Sequence, residues 1–211
     1  MCGRFVIISD LSIITEAFNI QEIACDYRQS TNILPSHNIA AVIHDGVNRL
    51  VQFRWGLIPS WAKDPSIGSR LINARAETLS EKTSFRNAFK KRRCLIIADG
   101  FYESLKEGKK KTSIYFRLKS GMPFGFAGLY EMWTSSEGQP VNACTIITTE
   151  PNDLIQPIHN RMPVIVSKEK EALWIDPAVQ KQTLLSSVLQ PYPSAEMEAV
   201  ALASPADVPM R

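Results

Sequence analysis

The sequence predicts an α+β fold, one mostly antiparallel domain, and three observations carry that prediction. Strand-like runs outnumber helical ones, most connections between them are short, and 211 residues with 45% hydrophobic content suffice for one substantial core. No internal repeat or inter-domain linker interrupts the chain. The domain is expected over residues 1–203, with 204–211, two prolines among eight residues, as a poorly ordered tail.

The elements follow in order. Phe5 to Ile8 reads as an opening strand, and Ser9-Asp10 then starts a helix with Leu11, Ile14 and Phe18 at helical spacing. Ile39 to Ile43 and Leu50 to Trp55 read as strands joined across an Asp45-Gly46 turn. Pro59 to Arg70 is a polar surface loop, a place where function often resides. Thr78 to Arg93 can form one or two helical turns. Cys94 to Ala98 is a buried strand that Asp99-Gly100 ends, and Ser113 to Leu118 alternates like a strand with one wet face. Lys106 to Lys111 reads as a solvated turn. Pro123 to Leu129 and Asn142 to Thr149 are strands flanking a turn at Ser135 to Gly138, and a helix holding Leu173 and Trp174 begins after Ser167.

Composition excludes several classes. The balance of 24 basic and 21 acidic side chains gives a net charge of only +3, so any nucleic-acid footprint must come from local clustering. Apolar runs are far shorter than the ~18 residues of a membrane span. No secretory signal is read at the N-terminus, and the four cysteines lack paired spacing, so the expected location is the reducing cytoplasm. With His37, His44 and His159 scattered, and no Walker or dinucleotide glycine loop, neither a metal nor a cofactor is expected.

Chemistry is concentrated elsewhere. If Met1 is removed, Cys2 carries an α-amine and a thiol two carbons apart, a 1,2-aminothiol able to condense with an aldehyde. A Cys near an N-terminus serves equally as a small buried hydrophobe. Asn73 as a turn cap, Glu103 as an exposed carboxylate and His159 as a surface imidazole are the bland alternatives to catalytic roles. From Lys82 to Arg93 six cations occur without an acid, with Phe85 and Phe89 interleaved. Cations for phosphates and rings for bases suit single-stranded nucleic acid, while a solvated helix face over two core phenylalanines explains the same letters. Trp55 is expected in the core and Trp61 in the loop, free to stack.

Read in order, Met1-Cys2-Gly3-Arg4-Phe5, Asn32 to Pro35, Arg54 to Trp61, Ile72 to Thr78, Arg93 to Glu103, Phe126 to Tyr130 and Ile146 to Val166 resemble the SOS-response-associated peptidase (SRAP) family of abasic-site processing proteins. The resemblance implies a curved antiparallel β core, barrel- or sandwich-like, with short flanking helices and a basic groove for single-stranded DNA. It implies a DNA-protein crosslink, a thiazolidine between processed Cys2 and a ring-opened abasic deoxyribose, with Asn73, Glu103 and His159 completing the catalytic set. Arg4, Trp61, Arg75, Phe85, Arg86 and Arg161 fall where the family contacts DNA. A lyase side reaction and self-removal of Met1 are further implications, with a monomer near the nucleoid if the chain is bacterial, and replication-associated proteins as further partners. An N-terminal-nucleophile peptidase or amidohydrolase is the rival enzyme class, and a non-catalytic DNA-binding module is the third reading. Ser104 departs from the Trp that family members commonly carry after the Glu.

Overall fold

The computed structural model describes residues 2–108 and 110–202, so the expected tail at 204–211 lies outside the described residues. Five strands close into a barrel: β4 (Asn38–His44), β5 (Asn48–Trp55), β7 (Arg93–Ala98), β10 (Phe124–Thr134) and β11 (Pro140–Thr149). Four of the five seams are antiparallel. The closing seam, β5 to β11, is parallel, with Ala143 beside Arg54 and Cys144 beside Trp55. Every residue of β7 is buried, as expected of the apolar run Cys94 to Ala98 in a barrel wall, and Arg93 at its start is buried with it.

A second sheet, antiparallel throughout, has the order β14-β9-β8-β1-β3. Its strands are β1 (Phe5–Ile7), β3 (Ser30–Ile33), β8 (Gly100–Glu107), β9 (Lys110–Leu118) and β14 (Met197–Leu202). It packs on the barrel through aromatic rings from both layers. Phe5 lies 5.2 Å from Trp55 and 5.8 Å from Phe126, and Phe101 lies 5.8 Å from Phe126. Each such ring, fully buried, contributes about 1.5–3 kcal/mol of hydrophobic free energy.

Short elements complete the chain. They are α1 (Leu11–Ala17), β2 (Glu22–Ile23), β6 (Asn73–Arg75), α2 (Arg86–Lys91), β12 (Met162–Pro163), β13 (Ile165–Val166), α3 (Glu171–Ile175) and α4 (Gln182–Val188). The α+β class and the curved, mostly antiparallel core are as the sequence predicts.

Strand β7 ends at Ala98, as expected, and at Asp99-Gly100 the chain passes from the barrel into the second sheet. A Cβ on Gly100 would meet the Tyr115 ring at 2.4 Å, so glycine is required for close strand approach. Asp99 anchors the crossing by accepting from Ile8 N at 2.6 Å, Ser9 N at 2.9 Å and Ser9 Oγ at 2.5 Å. One expectation changes at β9: Tyr115, on the face expected to be wet, is buried against Val6, Ile8 and Tyr102, whereas Ile114, Phe116 and Leu118 are buried as the alternation predicts. The turn read at Lys106 to Lys111 is narrower than expected, since Lys106 pairs with Lys111 and Glu107 with Lys110 in the β8–β9 ladder.

Candidate active site at the buried Cys2

Strand register places the N-terminal segment. Phe5 pairs with Phe101 and Tyr102 N donates to Arg4 O at 3.0 Å, so the residues before β1 run back along β8 toward Glu103. Cys2 is fully buried and its side chain belongs to the main core. Burial pushes its thiol well above the ordinary range, and the Glu103 carboxylate adds to the rise; the Arg4 backbone N–H and the chain's terminal amine oppose it more weakly. At neutral pH the thiol keeps its proton.

Asn73 approaches from the barrel. Strand β6 lies parallel to β11, with Asn73 in register with Ile146, and its Nδ2 donates to Cys2 O at 2.9 Å. The Oδ1 of the same amide is buried and lacks a partner among the described residues. Glu103 is 7% exposed. It borders a cleft of about 330 Å³ whose other walls include Arg4, Leu34, Tyr102, Ser104 and Ser113. The Arg4 guanidinium lies over the Tyr102 ring, 5.9 Å from its centroid.

Asn73 thus touches Cys2 directly, and Glu103 acts on the Cys2 thiol through its charge. His159 enters less directly, from the β11–β12 connection. Asn152 shapes that connection, its Oδ1 accepting from Ile155 N at 3.1 Å and its Nδ2 donating to Tyr192 O at 2.7 Å. His159 N then donates to Ile155 O at 2.9 Å. Its Nδ1 lies 3.0 Å from Arg161 N and 3.2 Å from Arg161 O, so the backbone of Arg161 holds the ring at that nitrogen. The link to the other three residues runs through β11: Thr148 is in register with Arg75 on one side and Pro163 on the other.

The expected DNA contacts separate into three groups. Trp61 is 54% exposed, and Arg75 and Arg86 are exposed. The Trp61 loop is pinned where Gly56, at φ +132°, meets Gly68; a Cβ there would lie 2.7 Å from Gly68 O. Arg161 is turned inward: it pairs with Glu77 at 2.7 and 3.0 Å and donates to Thr148 O at 2.6 Å. Phe85 is a correction. At 3% exposure it is a core residue, as is Phe89 at 4%, so neither ring is available to a base. Of the six cations around them, Lys82, Arg86, Lys90 and Lys91 are exposed, Arg92 pairs with Glu131 at 2.6 Å, and Arg93 is buried. The segment is a solvated helix face over two core phenylalanines.

Glu77 and Thr148 carry no signal of their own in the sequence; what singles them out is pairing with Arg161, visible only in three dimensions. Among the described residues no cluster of three or more His, Cys, Asp or Glu could hold a metal ion, and no helix is long and apolar enough to cross a membrane.

A barrel and a covering sheet that enclose a cysteine near the N-terminus between an amide and a carboxylate define the class, and the family model described as SOS response associated peptidase (SRAP) matches residues 1–205. The chain belongs to that family. It is 50% identical to the abasic site processing protein YoqW of Bacillus subtilis (strain 168) over 208 residues, covering 97% of this chain and 93% of that protein. The abasic site processing protein HMCES of Gallus gallus is 34% identical over 152 residues, covering 60% of this chain and 45% of that protein. A crystal structure of a protein from Bacteroides thetaiotaomicron superposes with a TM-score of 0.88 at 26% identity, covering 98% of this chain and 97% of that one.

Proposed function

We propose that this protein processes abasic sites in single-stranded DNA by forming a thiazolidine crosslink through Cys2, once Met1 has been removed. The observation that carries the reading is the hold on Cys2: its carbonyl is fixed by Asn73 at 2.9 Å and its thiol lies in the field of Glu103. Family membership and relatives named for abasic-site processing support it.

The abasic sugar reacts as its open aldehyde. The free-base α-amine of Cys2 attacks C1′, forming the N–C1′ bond, and the carbonyl oxygen takes up a proton to become a hydroxyl. Glu103 and His159 are the proton carriers for ring opening and for loss of that hydroxyl as water, which leaves an imine. The thiol sulfur then bonds to C1′, the C=N electron pair moves to nitrogen, and nitrogen takes the proton that the thiol gives up. One water is lost overall. Holding the amine ~3–3.5 Å from the carbonyl replaces a bimolecular encounter, and acid–base assistance of this kind contributes ~10²–10⁴-fold. The C1′ imine also acidifies C2′, which opens a route to β-elimination, loss of the 3′ phosphate, as a side reaction.

Burial and Glu103, which both raise the thiol, support the order amine first, thiol second. A peptidase that attacks an amide with a resting thiolate needs the opposite shift in the thiol. Glu103 and burial both work against it.

The test mixes Met1-processed protein with single-stranded DNA carrying one abasic site and resolves the products on a denaturing gel. A covalent band is expected from the parent and none from Cys2→Ala or from protein that retains Met1. A band that persists in Cys2→Ala sinks the proposal.

A further inference from the structure

Arg161 and Glu77 are 84 residues apart in sequence and meet in a fork-to-fork pair, Nη1 to Oε1 at 2.7 Å and Nη2 to Oε2 at 3.0 Å. Such planar pairing fixes orientation as well as distance. The Arg161 side chain is only 13% exposed and Glu77 is 47% exposed, so the carboxylate covers the guanidinium from the solvent side. The inner side is closed as well. Nη2 donates to Thr148 O at 2.6 Å, and Thr148 Oγ1, itself buried, donates to Ala74 O at 3.4 Å. The Arg161 side chain is therefore a strut clamped between strand β11 and Glu77, which lies two residues beyond β6, the strand that carries Asn73.

The backbone of this same Arg161 holds His159. Its N–H donates to Nδ1 at 3.0 Å, while its carbonyl oxygen lies 3.2 Å from the same nitrogen. The two groups demand opposite states of Nδ1. The N–H is satisfied by a bare Nδ1 with the proton on Nε2, and the carbonyl by a protonated Nδ1. Which one the ring meets depends on the Arg161 φ and ψ, since its N–H lies in the peptide unit before the Cα and its carbonyl in the unit after it, and the anchored side chain restrains both.

We propose that Glu77 is a positioning residue: by clamping Arg161 it sets the Arg161 backbone so that His159 keeps its exchangeable proton on Nε2. The charge of Glu77 persists through the neutral range, since the Arg161 hydrogen bonds hold its carboxyl below the usual carboxylate range. What His159 does with its proton rests on the proposed function; how the ring is held does not.

The test is correspondingly double. With ¹⁵N-histidine labelling, long-range proton–nitrogen spectra at alkaline pH report which ring nitrogen is protonated. The chain has three histidines, so His159→Gln identifies the signal. The parent should show an Nε2–H ring at His159, Glu77→Ala should show a mixture of both tautomers, and Glu77→Gln, which keeps one acceptor for Arg161, should lie between them. Crosslinking to abasic single-stranded DNA should slow about tenfold in Glu77→Ala, with partial recovery in Glu77→Gln. An unchanged His159 spectrum in Glu77→Ala overturns the inference. If that spectrum is unchanged while the variant binds undamaged single strands several-fold tighter, Glu77 competes with phosphate for Arg161 and the inference is equally overturned. A shifted spectrum in a parent that forms no crosslink leaves the positioning role standing and removes the proposed function.

Discussion

Asn73 uses half of its amide and leaves the other half unused. Its Nδ2 holds Cys2 O, while Oδ1 is buried without a partner among the described residues. The two halves oppose each other in energy: a net hydrogen bond is worth about 1 kcal/mol, and a buried unpaired acceptor costs ~1–3 kcal/mol. Stability alone therefore gives no reason for an amide here, and a group that the fold tolerates at a loss points to function. Asn73→Ala should be as stable as the parent to within ~1 kcal/mol in urea denaturation, yet crosslink abasic DNA ~10²-fold more slowly because the N-terminal segment is no longer held. A variant that loses more than ~2 kcal/mol and crosslinks at the parental rate would make Asn73 a structural residue. The asparagine itself stands in a quoted motif and is readable from sequence. The partner of its amide is not, since Cys2 lies 71 residues away and meets it only through the β6–β11 register.

At the scale of elements, the basic segment from Lys82 to Arg93 shows why like residues in one run take unlike roles. Arg93 is 2% exposed and spends its guanidinium on backbone carbonyls: Phe89 O and Lys90 O at the end of α2, and Trp174 O, Asp176 O and Val179 O around α3. It fastens two short helices to the barrel wall and lies against the Trp174 ring, 5.7 Å from its centroid. Arg86, at the start of α2, is exposed and has no such task. Helical spacing in the sequence identifies Phe85 and Phe89 as one face, but it cannot tell a core face from a stacking face; burial decides for the core. Arg93→Lys, which replaces a five-donor fork by one ammonium, should lower stability by ~2–4 kcal/mol and leave the salt dependence of single-strand binding unchanged. Arg86→Ala should do the reverse, shifting stability by less than ~0.5 kcal/mol and reducing the salt slope by about one phosphate contact. Thermal denaturation and binding titrations at several salt concentrations separate the two; matching effects on both quantities would refute the division of labour.

For the molecule as a whole, the antiparallel α+β class is legible because strands such as β7, β10 and β11 carry their own apolar patterns. The parallel β5–β11 seam that closes the barrel is not, since its two strands are distant in sequence and three-residue β6 is too short to show a period. Closure has a thermodynamic consequence. It seals Cys2, Cys94 and Cys144 completely, and burial raises the pKa of all three thiols, with Glu103 adding to the rise at Cys2 and Cys94 adding to it at Cys144. A thiol whose pKa is higher folded than unfolded binds more protons in the native state once pH exceeds the unfolded value of about 8.5. Its stabilisation is complete below that pH and is lost on the way up through the folded value. Each sealed thiol then removes up to ~1.4 kcal/mol per pH unit from the free energy of unfolding. Urea midpoints measured under reducing conditions should therefore hold steady from pH 7 to 8 and begin to fall between about pH 8.5 and 9.5, before most tyrosines and lysines titrate. Cys94→Ala should start from a lower midpoint, because it leaves a small void beside Gly128, but should lose stability with a slope shallower by one thiol's share. Equal slopes in parent and variant would show that Cys94 is not sealed from solvent and would place an opening in the β7–β10 wall of the barrel.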